Sequence, residues 1–169
     1  AQVGYDLFST DFTYEKAKEE VHSFKLETTA RLHKVISDIQ TQVLGVPLGK
    51  FVALSQIKKA NHLGSQFAVN LVILFGCIVF SMLLAGLLFN QYLTLKTIEA
   101  DVDRQRKVFV ERFRAMPEAY EGVFVSLRNR LAFQFFAILG VAALVAVAVV
   151  ISIVFFVVHT KPIYNILFR

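Results

Sequence analysis

Three groups of residues in this 169-residue chain have types that could do chemistry. The first is GVPLGKF at 45–51, two glycines and a lysine of the kind that cradle a phosphate. A phosphate loop needs four residues between its glycines and a Ser or Thr after the lysine. Here three residues separate Gly45 from Gly49, and Phe51 follows Lys50, so the pattern is rejected. The second is Glu19 with His22, one Glu-x-x-His step. A di-iron bundle site needs two such steps and two further glutamates. Glu27 and His33 do not supply them, so this is read as a solvated helix face. The third is the remaining soft or titratable set: Cys77, His62 and His159. Cys77 is the sole cysteine, which excludes an intrachain disulfide, and the two histidines fall near helix ends. No Ser-His-Asp or Cys-His arrangement assembles. The sequence is therefore read as non-enzymatic, with no catalytic residue, no cofactor and no metal site.

The elements that would position any such residue are dominated by two uncharged runs. Phe67 to Phe89 is 23 residues long, and Leu131 to Val158 is 28. A helix needs about 20 apolar residues to cross a bilayer core, so each run qualifies by itself. Hydrophobic residues make up 56% of the chain, above the roughly 45–50% of soluble domains, and the excess sits in these runs. Neither run contains Asp, Glu, Lys, Arg or His in its core, which argues against a proton relay, a coupled transporter or a voltage sensor. Asn70 and Gln134 are the strongly polar side chains near them. A pore built from several copies would draw its lining from Asn70, Ser81 and Ser152. Helix packing in lipid favours small residues. Cys77, Ser81 and Ala85 recur at four-residue steps on the first run, and Ala142 with Ala146, then Ala148 with Ser152, on the second.

Before the runs, apolar residues recur every three or four positions from Tyr14 through Ala17, Val21, Phe24, Leu32, Val35 and Ile39 to Val43, with charges between. This predicts an amphipathic helix over about 11–44, roughly 50 Å long, capped by Asp11 or Thr13 and preceded by a short polar lead. Gly45, Pro47 and Gly49 are expected to end it. A short helix through Phe51, Leu54 and Ile57 then lies at the headgroup level. The apolar stripe must be buried against a partner subunit, the chain's own hairpin or the membrane surface.

Between the runs, Leu88, Tyr92, Leu95, Ile98, Val102 and Phe109 continue one stripe, and Ala119, Val123, Leu127 and Leu131 return. Pro117 is expected to break the helix there. The expected fold is an all-α integral membrane protein. It comprises an amphipathic N-terminal region with an interfacial helix (1–64), a first transmembrane helix (65–90) and an extramembrane helical hairpin (91–136) with Met116 and Pro117 at its tip. A second transmembrane helix (137–159) and a short tail (160–169) follow.

Charge leaves orientation open. The 91–130 segment holds eight Lys and Arg, which draws the hairpin to the cytoplasm, but 1–64 holds eight as well. The net charge of +5 is interleaved with acidic residues, so nucleic-acid binding has no footprint. The chain opens on Ala; methionine removal, cleavage of a targeting segment and origin within a longer protein with an upstream sensor domain all fit.

This layout, over about 11–160, resembles the SLATT-like two-helix membrane effector modules of bacterial antiphage defence. The resemblance is one of architecture, with no motif matched residue by residue. It implies a pore-forming or membrane-disrupting effector of antiviral defence in a bacterial inner membrane, whose partners are the lipid bilayer and further copies of itself. The other reading is a structural docking subunit among other membrane subunits of a larger complex.

Overall fold

The computed structural model describes the backbone of residues 2–161 and 163, and side chains over 13–40, 51–161 and 163 together with Gly45 and Gly49. Most of the expected tail lies outside these residues. The protein is 89% helix. Helix α1 spans Gln2–Ser55, α2 spans Ser65–Arg112 and α3 spans Glu121–His159, with a 3-10 turn at Pro117–Ala119 before α3. Among the described residues there is no strand, and the one bridge pairs Ala60 with Thr160.

Two boundaries depart from expectation. Helix α1 runs unbroken through Gly45, Pro47 and Gly49, so there is no separate interfacial helix, and residues 2–10 are helical instead of a polar lead. Neither glycine uses positive φ. A proline inside a helix removes one donor and costs about 3 kcal/mol or more. That local cost does not end α1, which is held by the buried Ile39 before the segment and the half-buried Ala53 and Leu54 after it. At the other turn, α2 already stops at Arg112, and Pro117 opens the 3-10 turn instead of terminating a helix. The residue before a proline avoids the helical region, and Met116 sits at φ −134°, ψ 56°.

Burial on α2 and α3 follows a repeat of 3.5. On α2 the buried positions are Cys77, Ser81, Leu84, Leu88, Gln91, Leu95, Ile98 and Val102, stepping alternately by four and three, then Phe109 one heptad on. Along α3, entered from the buried Tyr120 just before it, they are Phe124, Leu127, Leu131, Gln134, Ile138, Val141 and Val145, then Ser152 and Phe156. This is the period of a left-handed coiled-coil seam. On α1, Ala17, Val21, Thr28, Leu32, Val35 and Ile39 are buried.

The chain divides into two compact units. The first joins Ala1–Ser37 to Tyr92–Phe136. Within it the stripe of α1 is covered by the chain's own helices. Phe24 meets Phe124 at 5.9 Å between ring centroids, and Phe109 meets Phe113, Tyr120 and Phe124 at 5.6, 6.1 and 5.7 Å. Ion pairs bracket that core: Arg112 with Glu20 at 3.1 Å, Arg31 with Asp101 at 3.3 Å, and Arg106 with Glu121 at 4.0 Å. The second unit joins Asp38–Gln91 to Ala137–Arg169. There Phe67 packs on Phe156 at 6.5 Å.

Candidate membrane surface and helix-packing positions

Helices α2 and α3 are each long and apolar enough to cross a membrane, and only 22% of either apolar window is buried. A core helix of a soluble protein would be mostly covered. Here the exposed side is crowded with large apolar residues: Val72, Phe75, Met82, Leu83 and Phe89 on α2, and Phe136, Leu139, Val147, Val150 and Val154 on α3. Water would reject such a surface, which far exceeds the few hundred Å² that soluble monomers expose.

The residues singled out from spacing fall into two sets. Cys77 and Ser81 lie on the buried seam of α2, and the Ser81 hydroxyl donates to the Cys77 carbonyl at 2.6 Å. Ala85 is exposed, and Leu84 takes the seam position in its place. The reason is angular. A helix turns 100° per residue, so two steps of four drift about 80° from the starting face, whereas alternating fours and threes stay on it. On α3 the cause is an offset of one residue, about 100°: Ala142, half-buried, and Ala146, exposed, each follow a seam residue, Val141 and Val145. Ser152 is buried, its hydroxyl donating to the Ala148 carbonyl at 2.7 Å. At the turn, Met116 is half-buried and Pro117 exposed.

Asn70 exposes none of its surface. Its Nδ2 donates to the Lys58 carbonyl at 2.8 Å, and its Oδ1 accepts from the Lys58 amide at 3.3 Å and from Gln66 Nε2 at 3.0 Å. One side chain thus mimics a strand partner for the segment linking α1 to α2. The Ala60 amide next donates to the His159 carbonyl at 2.9 Å, and the Lys161 amide to the Ala60 carbonyl at 3.1 Å. His159 stacks on Phe155 at 4.0 Å, with Nδ1 2.9 Å from the Phe155 carbonyl. This clasp ties the entry of α2 to the exit of α3. Sequence reasoning missed it, although a carboxamide in the first turns of an apolar helix was a visible signal.

Two buried glutamines carry the other polar tension. Gln134 donates from Nε2 to the Leu32 carbonyl at 3.1 Å, while its Oε1 and the Oε1 of Gln91 accept from nothing. The described residues contain no group of three or more His, Cys, Asp or Glu able to hold a metal ion. Comparison with protein-family models, with curated proteins and with solved structures returns no match to this chain.

Proposed function

We propose that this protein is a non-enzymatic integral membrane module that self-associates in the bilayer. In this reading α2 and α3 each cross the membrane, and residues 91–136 form an extramembrane helical hairpin, tip near Pro117, sheathed by α1. The observation that carries it is the uncharged, outward-facing surface of the two apolar spans. Self-association is supported by the small residues on that surface: Gly76, Ala85 and Gly86 on α2, Gly140, Ala143 and Ala146 on α3. A side chain added at Gly76, Gly86 or Gly140 would meet nothing within 4 Å. Small outward residues let neighbouring helices approach closely in lipid.

The sharper form of the proposal is a pore-forming effector of bacterial defence, acting on the inner membrane and triggered through an upstream sensor domain. Inducing the chain in bacteria then collapses the membrane potential, with weak discrimination between ions. Ala146→Asp abolishes the collapse, because a carboxylate at mid-bilayer costs at least about 2.5–3.5 kcal/mol. An intact potential with abundant, inserted protein, both alone and with an upstream domain restored, overturns the pore.

A specific observation favours a second reading, a structural docking subunit. Asn70, Ser81 and Ser152 are all buried and hydrogen-bonded within the chain. The outward faces are left without a polar lining for an aqueous path. The mass of the purified chain in detergent separates the two: homo-oligomers support the effector, and stability only alongside other polypeptides supports the docking subunit.

A further inference from the structure

The first unit contains a groove between α1 and α3, about 570 Å³ in volume. That is within the range of about 300–1,000 Å³ typical of ligand clefts. Its walls are residues 29–36 of α1 and 122–134 of α3. Those two stretches hold Arg31, Lys34, Arg128, Arg130 and His33, and no Asp or Glu. Arg31 is taken up by Glu27 and Asp101. Arg130 is exposed and has no carboxylate within 4.0 Å among the described residues, and no acidic residue follows Glu121 anywhere in the chain. Beside it Gln134, 1% exposed, lines the groove with its Nε2 committed to Leu32 and its Oε1 lacking a donor. A buried acceptor without a donor costs about 1–3 kcal/mol; Gln134 Oε1 is such an acceptor at the groove wall, and the Arg130 guanidinium beside it is exposed and without a carboxylate partner.

The height of the groove decides which molecule partners both. Arg130 is the last charge before the 28 uncharged residues 131–158. At 1.5 Å per residue those span roughly 42 Å, the thickness of a bilayer with its headgroups. On the membrane reading, with the second span beginning at 137, Arg130 lies seven residues, about 10 Å, before it, and its long side chain can reach the headgroup layer. Phe133, 70% exposed, and Phe136, one turn further on and 73% exposed, lie between Arg130 and that span.

We infer that this groove binds one anionic glycerophospholipid whose headgroup bears free hydroxyls, phosphatidylglycerol being the simplest. The phosphate pairs with the Arg130 guanidinium, a headgroup hydroxyl donates to Gln134 Oε1, and an acyl chain lies along Phe133. The inference rests on the bilayer-embedded reading above and adds to it a ligand.

The full chain is reconstituted in vesicles of equal phosphatidylglycerol and phosphatidylcholine, then extracted, and its retained lipids are weighed by native mass spectrometry. The expected result is a single phosphatidylglycerol held in preference to phosphatidylcholine. Arg130→Gln reduces its retention about tenfold, the scale of one lost charge-assisted bond. Arg114→Gln, on an exposed arginine at the turn outside the groove, changes nothing. In vesicles to which phosphatidic acid is added as a third equal component, the unaltered chain prefers phosphatidylglycerol over phosphatidic acid, and Gln134→Leu loses that preference while keeping the one for anionic over neutral lipid. Equal retention of both lipids, or an unchanged Arg130→Gln, overturns the inference. Displacement of the lipid by millimolar glycerol phosphate transfers the site to a soluble anion and overturns the lipid assignment. A chain that carbonate washes off vesicles overturns the membrane reading itself. A chain that stays embedded yet shows no lipid preference overturns only the groove.

Discussion

The two units share an interior and differ in their exteriors. Inside each, helices bury residues every 3.5 positions, although the seam of α2 and α3 is mostly large and apolar in the first unit and mixes Leu84, Leu88 and Phe156 with Asn70, Cys77, Ser81, Gln91 and Ser152 in the second. Outside, the first unit holds twelve of the thirteen Asp and Glu and thirteen of the eighteen Lys and Arg. All five ion pairs among the described residues belong to it. The second unit has Asp38 as its sole acidic residue. On the membrane reading proposed above, one packing rule serves two solvents, and the outer face distinguishes them. The driving forces differ accordingly. In the first unit apolar burial is paid by water. In a bilayer, lipid tails are as apolar as the core, so on that reading the second unit would depend on close packing and internal hydrogen bonds.

The sharpest way to break this comparison is to truncate a seam leucine of one unit and an outward leucine of the other. Leu127, fully buried in the first unit, should lose about 2–5 kcal/mol on replacement by alanine. Leu83, 65% exposed on α2, should change stability by no more than about 0.5 kcal/mol under the same replacement. Hydrogen exchange in detergent reads the first in the 92–136 amides and the second in the 67–89 amides, and equal effects would mean that Leu83 is packed against a partner instead of facing outward. Next in size is Asn70→Ala. It strips the Lys58 backbone of its partners and should cost about 1–3 kcal/mol. The loss should be confined to the 56–64 segment, seen as faster exchange and protease cleavage there. Loss of protection in 92–136 as well would show that the clasp supports more than its own unit. The smallest effect belongs to the ion pairs. Arg112→Ala, removing the exposed contact to Glu20, should cost between zero and about 1 kcal/mol. That difference should vanish in 1 M salt, where screening acts over about 3 Å. A salt-resistant loss would assign Arg112 a packing role through its aliphatic stem.

These differences also explain what the sequence disclosed. The positions of α2 and α3 were legible because charge is absent from 67–89 and 131–158, a signal independent of packing. The stripe of α1 was legible because charges flank it. Within the apolar runs no such contrast exists. Every face is apolar, so the seam through Cys77, Ser81, Leu84 and Leu88 looks like its surroundings, and the four-residue step to Ala85 was a false lead. Only the buried polar residues, Asn70, Ser81, Gln134 and Ser152, mark the inner side. The segment around Pro47 was misleading for the converse reason. Gly, Pro and Gly are strong local punctuation, but packing on both flanks outweighs it. The groove beside Arg130 was invisible, since it is a juxtaposition of α1 with α3 about one hundred residues apart.

The clasp has a consequence for the order in which the protein is made. Asn70 lies only twelve residues from Lys58, so that half closes as soon as the first turns of α2 leave the ribosome. Its other half needs His159 and Lys161, about one hundred residues later than Ala60. Until then the Ala60 amide and carbonyl wait without partners, while α2, the turn at Pro117 and nearly all of α3 are synthesised. The last bonds to form are those that require both spans to be complete, and a chain truncated before His159 leaves that pair of backbone groups open.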